Sequence, residues 1–414
     1  MRNFLTAAVL LVLSSCLSEK GVKPTNGTTF VRYYNGGNND EAIAFEQTSD
    51  GGYILLISTR IQKAEADLPA YKIKMIRTDG QGNPKWTRLY PDFTDKTNNY
   101  SAASLQILGN GGYVVVGNDI QSDGSNKLLV MTVDDATGDA KKIQVNTVTP
   151  SVTARAIAIN SKGNYFVLGV SGTSDMILAE VSKDSIIANK KAYPTWEVSY
   201  KAGETTLARK LFVDENNKIL WSGVATKNGL TGIRIVKTAP DSEFTDFDLL
   251  ISIPTFTEIG TDFCRYGFSY AVTGSTNQKA GQNGPGADTD ILFKRVAADG
   301  TVLSSKSFPF SDSGPDNQND VGNSITTTSD GGLIILASVN SAGIGGKGDT
   351  DYYLLKLDAF GQKIWASSFG STFKDDGVAI HQTADDGYVV LGTTIQGGLK
   401  IVTLTKTNSV GKIL

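Results

Sequence analysis

The segment Asp50-Gly51-Gly52-Tyr53 returns along the chain at a near-constant period, and that period limits the fold more than any other feature. The clearest copies are Gln47-Thr48-Ser49-Asp50-Gly51-Gly52-Tyr53, Thr328-Ser329-Asp330-Gly331-Gly332-Leu333 and Gln382-Thr383-Ala384-Asp385-Asp386-Gly387-Tyr388. Asn110-Gly111-Gly112-Tyr113 follows the same plan, and Gly163-Asn164-Tyr165, Asn217-Lys218-Ile219 and Phe268-Ser269-Tyr270 fill the gaps. With the residue after each turn as a marker, the seven units repeat every ~56 residues and occupy residues 28 to 414.

Each unit reads as four strands. An apolar run such as Ala42 to Phe45 meets an Asp-Gly or Asn-Gly turn, whose residues tolerate positive φ, and a second strand such as Tyr53 to Ile57 follows. Four residues after the marker a small residue recurs, as Gly117, Gly169, Gly223, Gly274, Ala337 and Gly392, with Ile57 as the exception; glycine there points to close packing. The third strands are expected at Tyr71 to Arg77, Lys127 to Val133, Met176 to Val181, Gly232 to Lys237, Ile291 to Val296, Tyr352 to Leu357 and Lys400 to Leu404. Gly82 to Trp86 and Gly361 to Trp365 mark the fourth at identical spacing, and nothing after residue 16 shows a helical period. Four-stranded units in this number predict an all-β, seven-bladed β-propeller of antiparallel blades, since radial closure hides the strand edges. Gly411-Lys412-Ile413-Leu414 matches Gly361-Gln362-Lys363-Ile364, where an outer strand begins, and Phe30 to Tyr34 has the spacing of that missing strand. The ring is therefore expected to close by pairing its N- and C-terminal strands.

The chain opens with Met1-Arg2-Asn3, an apolar run from Phe4 to Leu13, and Leu13-Ser14-Ser15-Cys16. The run is too short for a spanning helix and reads as a signal peptide, residues 1–15. Small residues directly before a single Cys resemble the bacterial lipobox, which implies lipidation of Cys16; residues 16–27, polar with Gly21, Pro24 and Gly27, read as a flexible tether before the 28–414 propeller. The alternative is a plain secretory signal in which Cys16 is incidental. The 39 basic and 42 acidic residues leave a net charge of -3 with no basic tract, which argues against a nucleic-acid partner. Two Cys and one His are too few for a disulfide scaffold or a Cys/His zinc cluster.

The Asp-Gly-Gly-Tyr turn, the Tyr352-Tyr353-Leu354-Leu355-Lys356-Leu357-Asp358 strand and the Gly-x-Lys-Ile-Trp strand of Gly361 to Trp365 resemble the propeller-like repeats of surface lipoproteins in Bacteroidetes and related bacteria. The resemblance covers nearly all of residues 28 to 414, most strongly in the first, sixth and seventh units. It implies a fold and a place in the cell envelope, with the outer membrane as the expected site, and no activity.

The long connections Arg60 to Ala70, Pro91 to Asn99, Asn277 to Asp288, Phe310 to Asn319 and Ser341 to Thr350 fall in the two loop classes that emerge on one face of such a ring, leaving short turns on the other. A loop-rich face on a rigid scaffold suits ligand binding. Asp40, Asp320 and Asp375, each at the start of an innermost strand, are expected to converge on the central channel as an acidic rim for Ca²⁺ or sugar hydroxyls; the competing reading is that each caps its own turn. Tyr34, Tyr90 and Tyr100 offer sugar-stacking surface or blade packing. Gly343-Ile344-Gly345-Gly346-Lys347-Gly348 spells G-x-G-x-x-G but precedes a strand, so no nucleotide role follows. His381 falls within an innermost strand and reads as structural, Cys264 as a buried inert thiol, and Ser49 to Gly52 lacks the spacing and Trp of a sialidase Asp box. The expectation is a lipid-anchored, non-enzymatic propeller that binds a polysaccharide or an envelope protein, without a cofactor unless Ca²⁺ is bound. The alternatives are a glycan-active hydrolase or lyase using carboxylates on the loop-rich face, and a purely structural scaffold.

Overall fold

A computed structural model of the chain describes residues 28–61, 70–91, 98–172, 175–187, 194–200, 205–214, 216–239, 245–279, 285–310, 318–340 and 348–414. Residues 1–27, on which the expected signal peptide, Cys16 and tether fall, lie outside the described residues. So do the centres of the five long loops, including residues 343–347 of the glycine-rich run; a strand, Asp351–Leu357, follows that run as expected.

The described residues form seven four-stranded antiparallel sheets. In six of them, four consecutive strands pair in chain order. The seventh takes its outer strand from the other end of the chain: Phe30–Tyr34 pairs with Leu399–Thr407, Phe30 opposite Lys406 and Tyr34 opposite Val402. Each innermost strand packs against those of the two neighbouring blades, so the protein is a seven-bladed β-propeller closed by its terminal strands. All seven expected third strands are present, among them Ala70–Thr78, Asn126–Val133 and Asp351–Leu357.

The repeated turn has a structural job. Asp50 accepts hydrogen bonds from Thr48 Oγ1 at 2.7 Å and the Gly52 amide at 3.1 Å, and Arg77 of the third strand reaches it at 2.8 Å. Asp330 repeats this with Thr328, Gly332 and Lys356, and Lys406 reaches Asp385 at 2.6 Å. Gly51 and Gly331 sit at φ 77° and 80°, where a side chain would be strained. The Thr-x-Asp-Gly-Gly signature is thus a capped turn clamped to the third strand of its own blade.

The core is the set of interfaces between blades. Seven hydrophobic clusters account for it among the described residues, and each draws on two adjacent blades, as where Tyr53 and Leu55 of the first blade meet Leu391 and Leu404 of the seventh. Second and third strands are covered on both faces, which is why they read as continuous apolar runs rather than alternating ones. The outer edge is stapled in register: Tyr34 Oη donates to the Gly82 carbonyl of the next blade at 2.7 Å, Tyr90 Oη to Gly138 at 2.6 Å, Lys306 Nζ to Gly361 at 2.8 Å and Ser367 Oγ to Gly411 at 2.7 Å.

One expectation needs correction. The face expected to carry only short turns also carries the Val181-to-Trp196 connection, which contains a single helical turn, Lys183–Ile187. A helical turn of five residues is too short to leave a period in the sequence.

Candidate functional site

The innermost strands are Asn39–Gln47, Asn99–Ile107, Thr153–Ile159, Thr205–Val213, Glu258–Tyr266, Val321–Thr327 and Asp375–Gln382. Every one of them carries a β-bulge at the same place in its register, and the extra residues are Ile43, Ala103, Arg155, Arg209, Thr261, Asn323 and Val378. A bulge places two residues opposite one and re-aims the side chain. Here all seven line a central cavity of about 360 Å³ to which every blade contributes. At two of the recurring small positions the facing innermost strand leaves no room for a side chain: a Cβ at Gly117 would stand 2.3 Å from the Ser101 carbonyl oxygen, and one at Gly274 only 1.8 Å from that of Ile259.

The residue after the bulge and the one two further on complete the lining, and these positions concentrate the charge. Lys210 and Asp262, on the fourth and fifth blades, form an ion pair at 2.6 Å. Asp262 also accepts the Phe263 amide at 2.9 Å, the Ile325 amide at 2.9 Å and Ser324 Oγ at 3.1 Å, which ties three blades together at the axis. The seven inner strands surround the Lys210 side chain, yet 42% of it remains open to the channel, so its ammonium sits in confined water rather than a dry core. Burial works against its charge, but Asp262 outweighs this and raises its pKa.

Nearer the short-turn face, His381 Nε2 lies 4.0 Å from Glu46 Oε2, and the imidazole sets its edge on Phe45 with centroids 4.7 Å apart. Burial pushes the Glu46 carboxyl up to about 7, against the opposing pull of Lys210. Burial and the Lys210 charge push His381 down to about 4. Cys264 shares this level of the channel and is part-exposed; burial and the Asp262 charge raise its thiol to about 12, so it stays protonated and is no nucleophile at neutral pH.

The acidic rim does not form as expected. Asp40, Tyr100, Glu258, Asp320 and Asp375 share one register position, three residues before the bulge, and all are buried, with exposures of 0 to 4%. None of the five lines the central cavity. Asp40 accepts Thr59 Oγ1 at 2.8 Å and Lys74 Nζ at 2.7 Å. Asp320 accepts the amides of Phe310 at 2.9 Å and Asn340 at 3.2 Å, and Asp375 holds the amide and hydroxyl of Ser371 at 2.6 and 3.0 Å. Asp320 and Asp375 thus hold the connections beside their strands, and Asp40 ties the second and third strands of its own blade. Tyr34 is spent on its staple to Gly82, and Tyr100 is buried under Lys142, whose Nζ lies 2.9 Å from its hydroxyl. Among the described residues no group of three or more acidic, His or Cys side chains is placed to hold a metal ion.

The channel residues were within reach of the sequence. They lie ten, nine and seven positions before each marker, one fewer in the fifth unit, whose hairpin is one residue shorter. Stacking the seven copies there would have put Arg155 beside Arg209 and Glu46 beside His381.

The fold and channel define a closed seven-bladed propeller with a polar, charge-bearing axis. Neither a protein-family model nor a curated protein sequence matches the chain. Among solved structures, the polysaccharide lyase Uly1 is similar, with a TM-score of 0.54 at 11% identity over 91% of each chain. The β-propeller domain of the Trilobed protease from Pyrococcus furiosus aligns with a TM-score of 0.48 at 10% identity, covering 90% of this chain and 98% of that one. At such identities the likeness is one of fold.

Proposed function

We propose that the protein is a lipid-anchored binding module of the bacterial cell envelope, and that its central channel receives part of a polysaccharide without converting it. The channel itself carries the reading. It is a narrow concavity on a rigid ring, lined by Ser104, Gln106, Thr261, Asn323, Ser324 and Thr326, whose hydroxyls and amides match sugar hydroxyls better than the broad face of a folded protein. The test is a thermal-shift titration of the full-length protein in detergent with a panel of neutral and acidic polysaccharides. A ligand bound only by the folded ring raises the melting temperature saturably, by the equivalent of about 2.7 kcal/mol at a hundred times its Kd. If no polysaccharide produces a shift and an envelope protein co-purifies in stoichiometric amount, the protein-partner reading takes its place.

The anchor rests on Leu13-Ser14-Ser15-Cys16. A lipidated Cys16 adds about 0.8 kcal/mol per buried methylene, enough with more than one acyl chain for stable attachment. Cys16→Ala is expected to move the protein from the membrane to the soluble fraction and to abolish incorporation of labelled fatty acid. Unchanged labelling would refute lipidation at that residue.

One observation favours a glycan-cleaving alternative: a carboxyl held near neutrality beside an uncharged imidazole, Glu46 and His381, is a proton-transfer arrangement. New reducing ends, or the ultraviolet absorbance of an unsaturated sugar, appearing with the protein and not with Glu46→Gln would replace the binding reading with this one.

A further inference from the structure

The third and fourth blades place arginine at the bulge. Arg155 and Arg209 occupy the same register position on neighbouring innermost strands, and both are exposed and line the cavity. Neither makes a hydrogen bond or an ion pair with any described residue, whereas Lys210, one position further on, is committed to Asp262 at 2.6 Å. A pair of guanidiniums without counter-charge in a confined space is electrostatically unfavourable. Burial and the Arg209 charge together lower the Arg155 pKa, so the two groups feel each other. The surrounding charges sharpen the specification. Arg155, Arg209 and Lys210 face Asp262 and Glu46, the latter only partly ionised near neutrality, which leaves an excess of one to two positive charges. Where Glu46 is ionised a monoanion closes that balance, and a dianion would then overshoot it and meet Asp262 and Glu46. Between two forked donors, a planar carboxylate accepts in parallel pairs.

We infer that Arg155 and Arg209 form an anion subsite within the channel, and that it holds the carboxylate of an acidic sugar. This rests on the reading of the channel as the polysaccharide site and names the class of sugar it takes. Asn323 lines the same cavity; its amide already donates to Ser338 Oγ at 2.6 Å, which leaves its carbonyl oxygen to accept from a ring hydroxyl. Holding the two like charges together costs the ring stability, a common property of sites shaped for a ligand.

The experiment uses the full-length protein in detergent at constant ionic strength, titrated with galacturonate, its oligosaccharides, the matching neutral galactose oligosaccharides and a sulfated counterpart. Galacturonate is expected to raise the melting temperature saturably where galactose does not, and the effect should weaken as salt is raised. Arg155→Gln and Arg209→Gln should each weaken galacturonate binding by about 10-fold to 100-fold, as loss of a charged hydrogen-bonding partner does. Arg209→Gln without ligand should melt above the parent, because one of two repelling charges is gone. That arm excludes simple unfolding of the variant as the cause of lost binding. No shift with galacturonate, or equal affinity in the parent and both variants, overturns the subsite. Should neutral oligosaccharides still bind in that case, the channel reading stands and only the anion assignment falls. A shift with the sulfated sugar alone overturns the carboxylate.

Discussion

Asp262→Ala should lower the melting temperature by about 4 °C, the largest loss expected from any single channel residue. The carboxylate is 7% exposed and takes four donors from three consecutive blades: Lys210 at 2.6 Å, its neighbour's Phe263 amide at 2.9 Å, and the Ile325 amide and Ser324 hydroxyl at 2.9 and 3.1 Å. Removing one partner of a buried ion pair costs about 3–5 kcal/mol, because the other charge and the amides are left without an acceptor. The lower half of that range applies here, since 42% of the Lys210 side chain meets channel water. For a folded unit near 390 residues, unfolding entropy turns about 3–4 kcal/mol into about 4 °C. Asp262→Asn separates the causes. The amide oxygen still accepts hydrogen bonds while the charge is gone, so it should recover roughly half of the loss. A melting temperature within 1 °C of the parent for the alanine variant, a change of roughly 1 kcal/mol or less, would remove Asp262 as a hub.

Glu46→Gln should do the reverse, stabilising the ring at alkaline pH and leaving it unchanged in acid. The carboxyl titrates near 7 in the folded ring against an ordinary 4.5. Below pH 4.5 both states hold the proton and nothing is lost. From 4.5 to 7 the unfolded chain ionises while the folded ring keeps its proton, so stability falls as pH rises, and above 7 the full penalty applies. At 1.36 kcal/mol per unit the penalty approaches about 3 kcal/mol, and the 31% of the side chain open to channel water reduces it to about 2 kcal/mol. The glutamine variant should therefore melt about 2 °C above the parent at pH 8 and level with it at pH 4. A gain of equal size at both pH values would mean that Glu46 is destabilising for a reason other than its charge. His381 slopes the other way: lowered to about 4, it costs stability as pH falls from 6.5. Between about pH 4 and 7 the folded ring holds both groups neutral, side by side.

The two variants act on residues that the repeat had already located without revealing their use. Asp50, Asp330 and Asp385 could be read as turn formers because a turn is a local event: the capping Asp, the positive-φ residue after it (Gly51, Gly331 and Asp386) and the Thr two positions before all lie within five residues. Asp40, Asp320 and Asp375 were correctly assigned to the starts of innermost strands and wrongly aimed at the axis. Alternation along a strand says which residues share a side; it does not say which side is the channel once an extra residue interrupts the ladder. Tyr34 and Tyr100 misled in the same way, since an aromatic ring suits stacking on a sugar and packing between blades equally well.

What the amino-acid sequence determined by itself is the set of units, their number and their closure. Apolar strand runs, glycine turns and the match between Phe30–Tyr34 and the missing outer strand are short-range patterns, and a four-stranded blade cannot bury both faces except against copies of itself. What only the tertiary structure decided is the site. Arg155 and Arg209, Lys210 and Asp262, and Glu46 and His381 belong to different repeats, as many as 335 residues apart in the last pair. They meet because seven bulges in register turn their side chains toward one axis, and in that confined water their charges shift one another's proton affinities, an effect that exists only once the ring has closed.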